Sequence, residues 1–160
     1  SPLRNITRAQ LKAIYSGEVS RWSQVGGPDA PIRVFSRKAP STSRKFVEEI
    51  VLGGLDIRLD AIELESAKIM AEKIREDHLA VGFIALKDRT ESPGQPLRYL
   101  EVDGVKPERI TVLSGRYPFT QPLYLVLHGR ATEPARRFVE FALAPEGQRI
   151  VVAQSLIAVA

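Results

Sequence analysis

The sequence predicts an α/β layered fold. Helical periodicities alternate along the chain with short β-prone runs, and one stretch, Pro31 to Leu52, runs from strand through a short basic, hydroxyl-rich turn into a helix. With 44% hydrophobic and 26% charged residues, the 160-residue chain has the make-up of a globular domain able to bury a proper core. It carries no repeat and no low-complexity segment.

The elements follow in order. Thr7 and Gln10 have capping-box spacing, Ile6 can staple to Leu11, and Leu11, Ile14 and Tyr15 share a helical face that Gly17 ends. Trp22 stands before the turn signal Gly26-Gly27-Pro28 and reads as a core or surface anchor rather than a ligand contact. Ile32, Val34 and Phe35 favour a strand, and Phe46, Val47, Ile50 and Val51 form an apolar helical stripe ended by Gly53-Gly54.

Leu64 to Glu76 predicts a second amphipathic helix with Ile69, Met70 and Ile74 inward. Leu79 to Leu86 predicts a buried strand, in which Gly82 marks a place where another backbone comes close. Thr90 to Gly94 predicts a loop, Leu97 to Val102 a strand, and Asp103-Gly104 a turn. Leu123 to Leu127 predicts a returning strand. Thr132 is placed to cap a helix with Glu133 and Pro134 in its first turn and Phe138, Phe141 and Ala142 on its packing face. Pro145 starts a last short helix, and Leu156 to Val159 reads as a terminal strand or docking tail.

The chemistry concentrates between the first long strand and its helix. Arg37, Lys38, Ser41, Thr42, Ser43, Arg44 and Lys45 crowd a helix start, and no carboxylate follows until Glu48. Helix N-termini carry partial positive charge and favour acids, so basic residues there cost about 0.3–1 kcal/mol each when exposed. An external anion at the helix start would offset that cost, with hydroxyls, backbone N–H groups and the Arg37 guanidinium converging on its oxygens. A Ser41 N-cap followed by a solvated charged turn accounts for the same residues.

This segment resembles the oxyanion loop of the phosphate-binding proteins of bacterial ABC transporters, the PstS-like, periplasmic type 2 solute-binding family, whose pattern is strand–S-R-x-x-G-S-G-T-R–helix. Here it stands as Ser36-Arg37-Lys38-Ala39-Pro40-Ser41-Thr42-Ser43-Arg44. The likeness extends in the family's order through Asn5–Val19, Arg21–Ile32, Ala80–Ile84, Tyr117–Tyr124 and Pro145–Gln148. Two family glycines are replaced, by Pro40, which lacks an N–H, and by Thr42, which adds bulk and a hydroxyl.

The resemblance implies a three-layer periplasmic-binding-protein-like (type 2) lobe with a mixed sheet flanked by helices. Residues 1–118 would form the second lobe, and residues 119–160 the returning strand and C-terminal helices, as a first-lobe remnant or packed on the same domain, with Arg116–Pro122 as a crossing hinge. Arg37, Ser41, Thr42, Ser43 and Arg44 would bind phosphate or a related oxyanion, and Ser66, at a helix start, is a further candidate cleft residue. The family's first segment has no counterpart here, which fits either a fragment or a one-lobed branch. The implied partners are phosphate and an ABC permease, in the periplasm or outside the cell, with or without a membrane anchor. An orphaned C-terminal region would invite dimerisation. A sensory or interaction domain with a degenerate pocket is the alternative.

Other classes find little in the residues. No enzyme motif is present, and His78 and His128 stand alone without metal-ligand spacing. Zero cysteines exclude disulfides and thiolate metal sites. Net charge is +4, but the basic residues are scattered and match no nucleic-acid motif, so no nucleic-acid partner and no cofactor are expected. The pairs Glu48 and Glu49, and Glu63 and Glu65, read as surface.

Overall fold

The computed structural model describes residues 3–89 and 96–158. The predicted loop at Thr90 to Gly94, and Val159, lie outside the described residues. The order of elements is β1 (Asn5–Ile6), α1 (Arg8–Ser16), β2 (Arg33–Arg37), α2 (Thr42–Phe46), β3 (Ile62–Leu64), α3 (Ala67–Glu76), β4 (Ala80–Val81), β5 (Glu101–Val102), α4 (Arg109–Leu113), α5 (Glu133–Leu143) and α6 (Pro145–Ala153).

Helix α1 begins as its residues dictate. Thr7 Oγ1 accepts from the Gln10 N–H at 3.1 Å, and the Gln10 side chain accepts from the Thr7 N–H at 2.9 Å. Gly17, at φ 92°, closes the helix in the left-handed conformation that a Cβ disfavours. Ile14 and Tyr15 are buried beneath it.

β2 is the centre of a three-stranded parallel sheet in the order β3-β2-β4, and β1 pairs in parallel with β5. Among the described residues, antiparallel pairing is confined to the isolated bridges Arg21–Pro31 and Val102–Val105. Parallel strands need helical crossovers, which here cover the sheet. One core gathers Ile6, Ile14, Tyr15, Trp22, Ile32, Val34, Val47, Leu52 and Val81. A second, around Phe35, Met70 and Ala80, lies under α3. Trp22 is fully buried and donates its indole N–H to the Leu79 carbonyl at 2.9 Å, an anchor as expected.

Several elements differ from expectation. The second helix begins at Ala67, not Leu64, because Ile62–Leu64 pair with Phe35–Arg37 as β3 and Ser66 caps the helix. The run from Leu79 forms a ladder only at Ala80–Val81, against Arg33–Val34. At Gly82 it is helix α3 that approaches: a β-carbon there would come within 2.8 Å of Ile74 Cδ1 and closer still to Met70 Sδ. Only Glu101–Val102 of the Leu97–Val102 run pair, since β1 offers two residues.

After Phe46 the helix widens into a π-helical turn, Val47–Val51, with the Leu52 N–H donating to the Val47 carbonyl at 2.9 Å. The wider turn rotates Ile50 off the apolar stripe to the surface, while Val47 stays buried.

The C-terminal region departs most. Leu123 to Leu127 join no ladder among the described residues, and Val126 is 89% exposed. Among the described residues no strand pairs with this run, and its side chains have no opposing layer. Phe138 and Phe141 are exposed for the same reason. Helices α5 and α6 pack on each other. Gly147 permits that corner, because a β-carbon would meet Ala142 Cα at 2.7 Å, and Gln148 donates to the Ala142 carbonyl at 2.7 Å. Residues 156–158 form no strand, but Ala158 is buried, which is the docking form of the tail.

Candidate functional site

In a parallel sheet the strands deliver their C-terminal ends, and the helix starts that follow them, to one edge. Here that edge holds two Ser-capped helix starts. β2 ends at Arg37 and leads to Ser41, whose Oγ accepts from the Arg44 N–H at 3.3 Å. β3 ends at Leu64, paired with Arg37, and leads to Ser66, whose Oγ accepts from the Ile69 N–H at 3.1 Å. Both serines are extended N-caps. A hydroxyl that accepts from a cap N–H keeps its own proton for an outside acceptor.

Arg37 is partly buried. Its Nη2 donates to the Glu65 carbonyl at 3.0 Å, while its Nε is buried with no partner among the described residues. It forms no ion pair with a carboxylate among them, since Glu65 pairs with Lys38 and Glu63 with Arg44. Lys38 pairs with Glu65 at 3.0 Å, and that carboxylate's hydrogen bond holds its ammonium above the usual lysine range. The Ala39–Pro40 peptide is cis. Thr42 is exposed and Ser43 partly buried, both in the first helical turn, where N–H groups lack intrahelical partners.

Arg44 turns back into the protein. Its Nε donates to Glu48 Oε1 at 2.7 Å, and Nη1 donates to the Arg37 carbonyl at 3.3 Å and to Glu63 Oε1. Donation to Glu48 and then to Glu63 holds its guanidinium pKa above the usual arginine value. Beside it lies a cavity of about 100 Å³ lined by Ser36, Arg44, Arg58 and Glu63. Ser36 Oγ is buried there without a partner among the described residues.

The structure therefore joins Arg37, Ser41 and Arg44 by hydrogen bonds, keeps Thr42 and Ser43 beside them by chain continuity, and brings Ser66 in through Glu65. The charge reading changes in one respect. Of the four loop cations, Lys38 and Arg44 have carboxylate partners; Arg37 and Lys45 have none among the described residues. Glu48, Glu63 and Glu65 are thus parts of the loop's frame, not plain surface. The Arg44-to-Glu48 spacing of i to i+4 could have revealed the first. Glu63 and Glu65 arrive through strand pairing, for which the sequence offers no local signal.

A family model described as "PBP superfamily domain" matches residues 1–146. The chain belongs to that superfamily. Among curated relatives it is 28% identical to the phosphate-binding protein PstS of Borreliella burgdorferi over 165 residues, which covers 98% of this chain and 59% of that protein. It is 27% identical to PstS of Bacillus subtilis over 150 residues, covering 94% of this chain and 49% of the relative. Among solved structures, an ABC-type phosphate transport receptor from Vibrio cholerae matches with a TM-score of 0.87 at 26% identity, over 98% of this chain and 65% of that one. The chain thus spans about half to three-fifths of the length of these curated relatives. Its likeness is to PstS, and its fold is the periplasmic-binding-protein-like α/β fold that the motifs implied.

Proposed function

We propose that this chain carries the oxyanion-binding lobe of a phosphate receptor for ABC-transporter uptake, with phosphate or a related tetrahedral oxyanion at the edge formed by β2 and β3. The observation that carries the reading is Arg37: a guanidinium at the end of the central strand, with a buried unpartnered Nε and no carboxylate among the described residues, beside a Ser-capped helix start. Its planar fork suits a tetrahedral oxyanion. Ser41, Thr42 and Ser43 add hydroxyl and first-turn N–H donors, and Ser66 faces the same edge from the neighbouring cap. The phosphate-binding relatives support this reading over a sensory one.

On this reading residues 1–118 form the lobe that holds the loop, and residues 119–160 carry the returning run and the C-terminal helices, whose exposed apolar residues belong against another surface. The partner is an ABC permease, and the place of work is periplasmic or extracellular. No helix among the described residues is long and apolar enough to cross a membrane.

Calorimetric titration of phosphate-stripped protein with phosphate, and with sulfate as the comparison, tests the reading. Phosphate-selective heat is expected. Arg37→Ala should lower affinity by about 100-fold or more with an unchanged melting temperature, because its partner is one backbone carbonyl and its charge is otherwise uncompensated. Equal affinity in the variant would remove Arg37 from the site, and no heat from wild-type protein at millimolar phosphate would overturn the reading.

A further inference from the structure

We propose that Arg44 is a positioning residue, which shapes the anion loop through the Arg37 backbone and does not touch the ligand. The inference deepens the phosphate reading and rests on it for its effect on affinity, but its structural half stands on the geometry alone.

Arg44 closes the loop on itself. Its N–H donates to Ser41 Oγ at the cap, and its Nη1 donates to the carbonyl of Arg37, the residue at which the loop leaves β2. Its guanidinium also reaches Glu63 on β3 and Glu48 one turn along its own helix. One side chain therefore ties the strand end, the neighbouring strand and the helix that follows the loop. A planar group with five donors in a fixed fork can serve three acceptors at once; an ammonium on a flexible stem cannot hold the same set in register.

Charge assigns the division of labour. The Arg44 side chain is only 21% exposed, and both of its carboxylate partners are engaged. An incoming anion would have to compete with Glu48 and Glu63 for donors already committed to them, in surroundings that screen poorly. Arg37 meets no such competition, since its Nη2 bonds a neutral carbonyl. The two arginines thus divide: Arg37 offers charge, and Arg44 fixes the backbone from which Arg37 projects.

The test compares Arg44→Ala, Arg44→Lys and Glu63→Gln with wild type in the full chain, by phosphate calorimetry and by amide hydrogen exchange without ligand. Arg44→Ala should speed exchange across residues 37–44 by about tenfold, the loss of charge-assisted hydrogen bonds, and leave α1 unchanged. It should weaken phosphate binding by about tenfold as well. Arg44→Lys, which keeps the charge but not the planar fork, should restore neither the slow loop exchange nor the affinity.

Glu63→Gln separates positioning from direct contact. A positioning role predicts faster loop exchange and weaker binding, whereas an Arg44 that contacts phosphate would be released by Glu63→Gln and bind more tightly. Tighter binding by Glu63→Gln, or loop exchange unchanged in Arg44→Ala, would overturn the proposal. If wild-type protein binds no phosphate the functional reading fails, while the exchange measurement still decides whether Arg44 holds the loop.

Discussion

The runs Ile32–Arg37 and Leu123–Leu127 are both β-prone, yet they end in opposite states. The first is a buried central strand with Val34 and Phe35 at 4% exposure; the second leaves every residue exposed and joins no described ladder. β2 has β3 on one side, β4 on the other, and a hydrophobic cluster on each face. Leu123–Leu127 has none of these among the described residues. The difference teaches that β-propensity describes fitness for a pleated, half-buried surface and does not create one. A strand is completed by its neighbours.

Substitutions can break that contrast or sharpen it. The largest effect is expected at Trp22, which fills the core beside β2 and anchors Leu79. Trp22→Ala should cost about 3–5 kcal/mol by urea denaturation, through lost burial and the cavity left behind. A cost below about 1 kcal/mol would show that the β2 region is not the stable part of the molecule.

A matched pair follows. Val34→Ala should cost about 2 kcal/mol, and the same change at Val126 should stay within about 0.5 kcal/mol. Equal costs in the two variants would mean that Leu123–Leu127 is buried in solution, which analytical ultracentrifugation would then trace to a second copy or exclude.

The smallest expected effect concerns Asp103, which joins the two ends of the β1–β5 pair. Its carboxylate accepts from the Arg8 N–H at 3.1 Å and from the Arg8 guanidinium at 2.5 Å, and these bonds, the backbone one first, hold its pKa below the usual carboxylate value. A carboxyl whose folded pKa is lowered contributes stability above its unfolded pKa and loses it as pH falls through the folded value. Melting curves of wild type and Asp103→Asn should therefore differ slightly at neutral pH and converge under acid conditions. A gap that persists below the folded value would assign the effect to something other than this charge.

Much of the candidate site was legible locally. Ser41 as an N-cap, Arg37 at a strand end and the clustering of hydroxyls all depend on residues within one strand–loop–helix passage. The capping box at Thr7 and Gln10 was readable for the same reason, since its bonds span three residues. The role of Arg44 was half legible: its pairing with Glu48 follows from helix spacing, but Glu63 reaches it only because β2 and β3 lie side by side. Ile50 leaves the apolar stripe because α-helical spacing does not hold where the chain winds a π-turn. The ladders at Leu79–Leu86 and Leu97–Val102 are shorter than the β-prone runs because a ladder lasts only where two strands lie side by side: β1 has two residues, and only Arg33 and Val34 of β2 face the Leu79 run.

By itself the sequence determined the α/β class, the side-chain caps at Thr7 and Ser41, the apolar faces of α1 and α3 and the composition of the anion loop, because each of these is decided by interactions among residues close together in the chain. Tertiary structure alone decided which β-prone runs became strands, which loop cations were neutralised and which arginine kept its charge available. Those outcomes depend on what lies across the sheet, and a residue distant in the chain, such as Glu63 beside Arg44, leaves no local trace of its arrival.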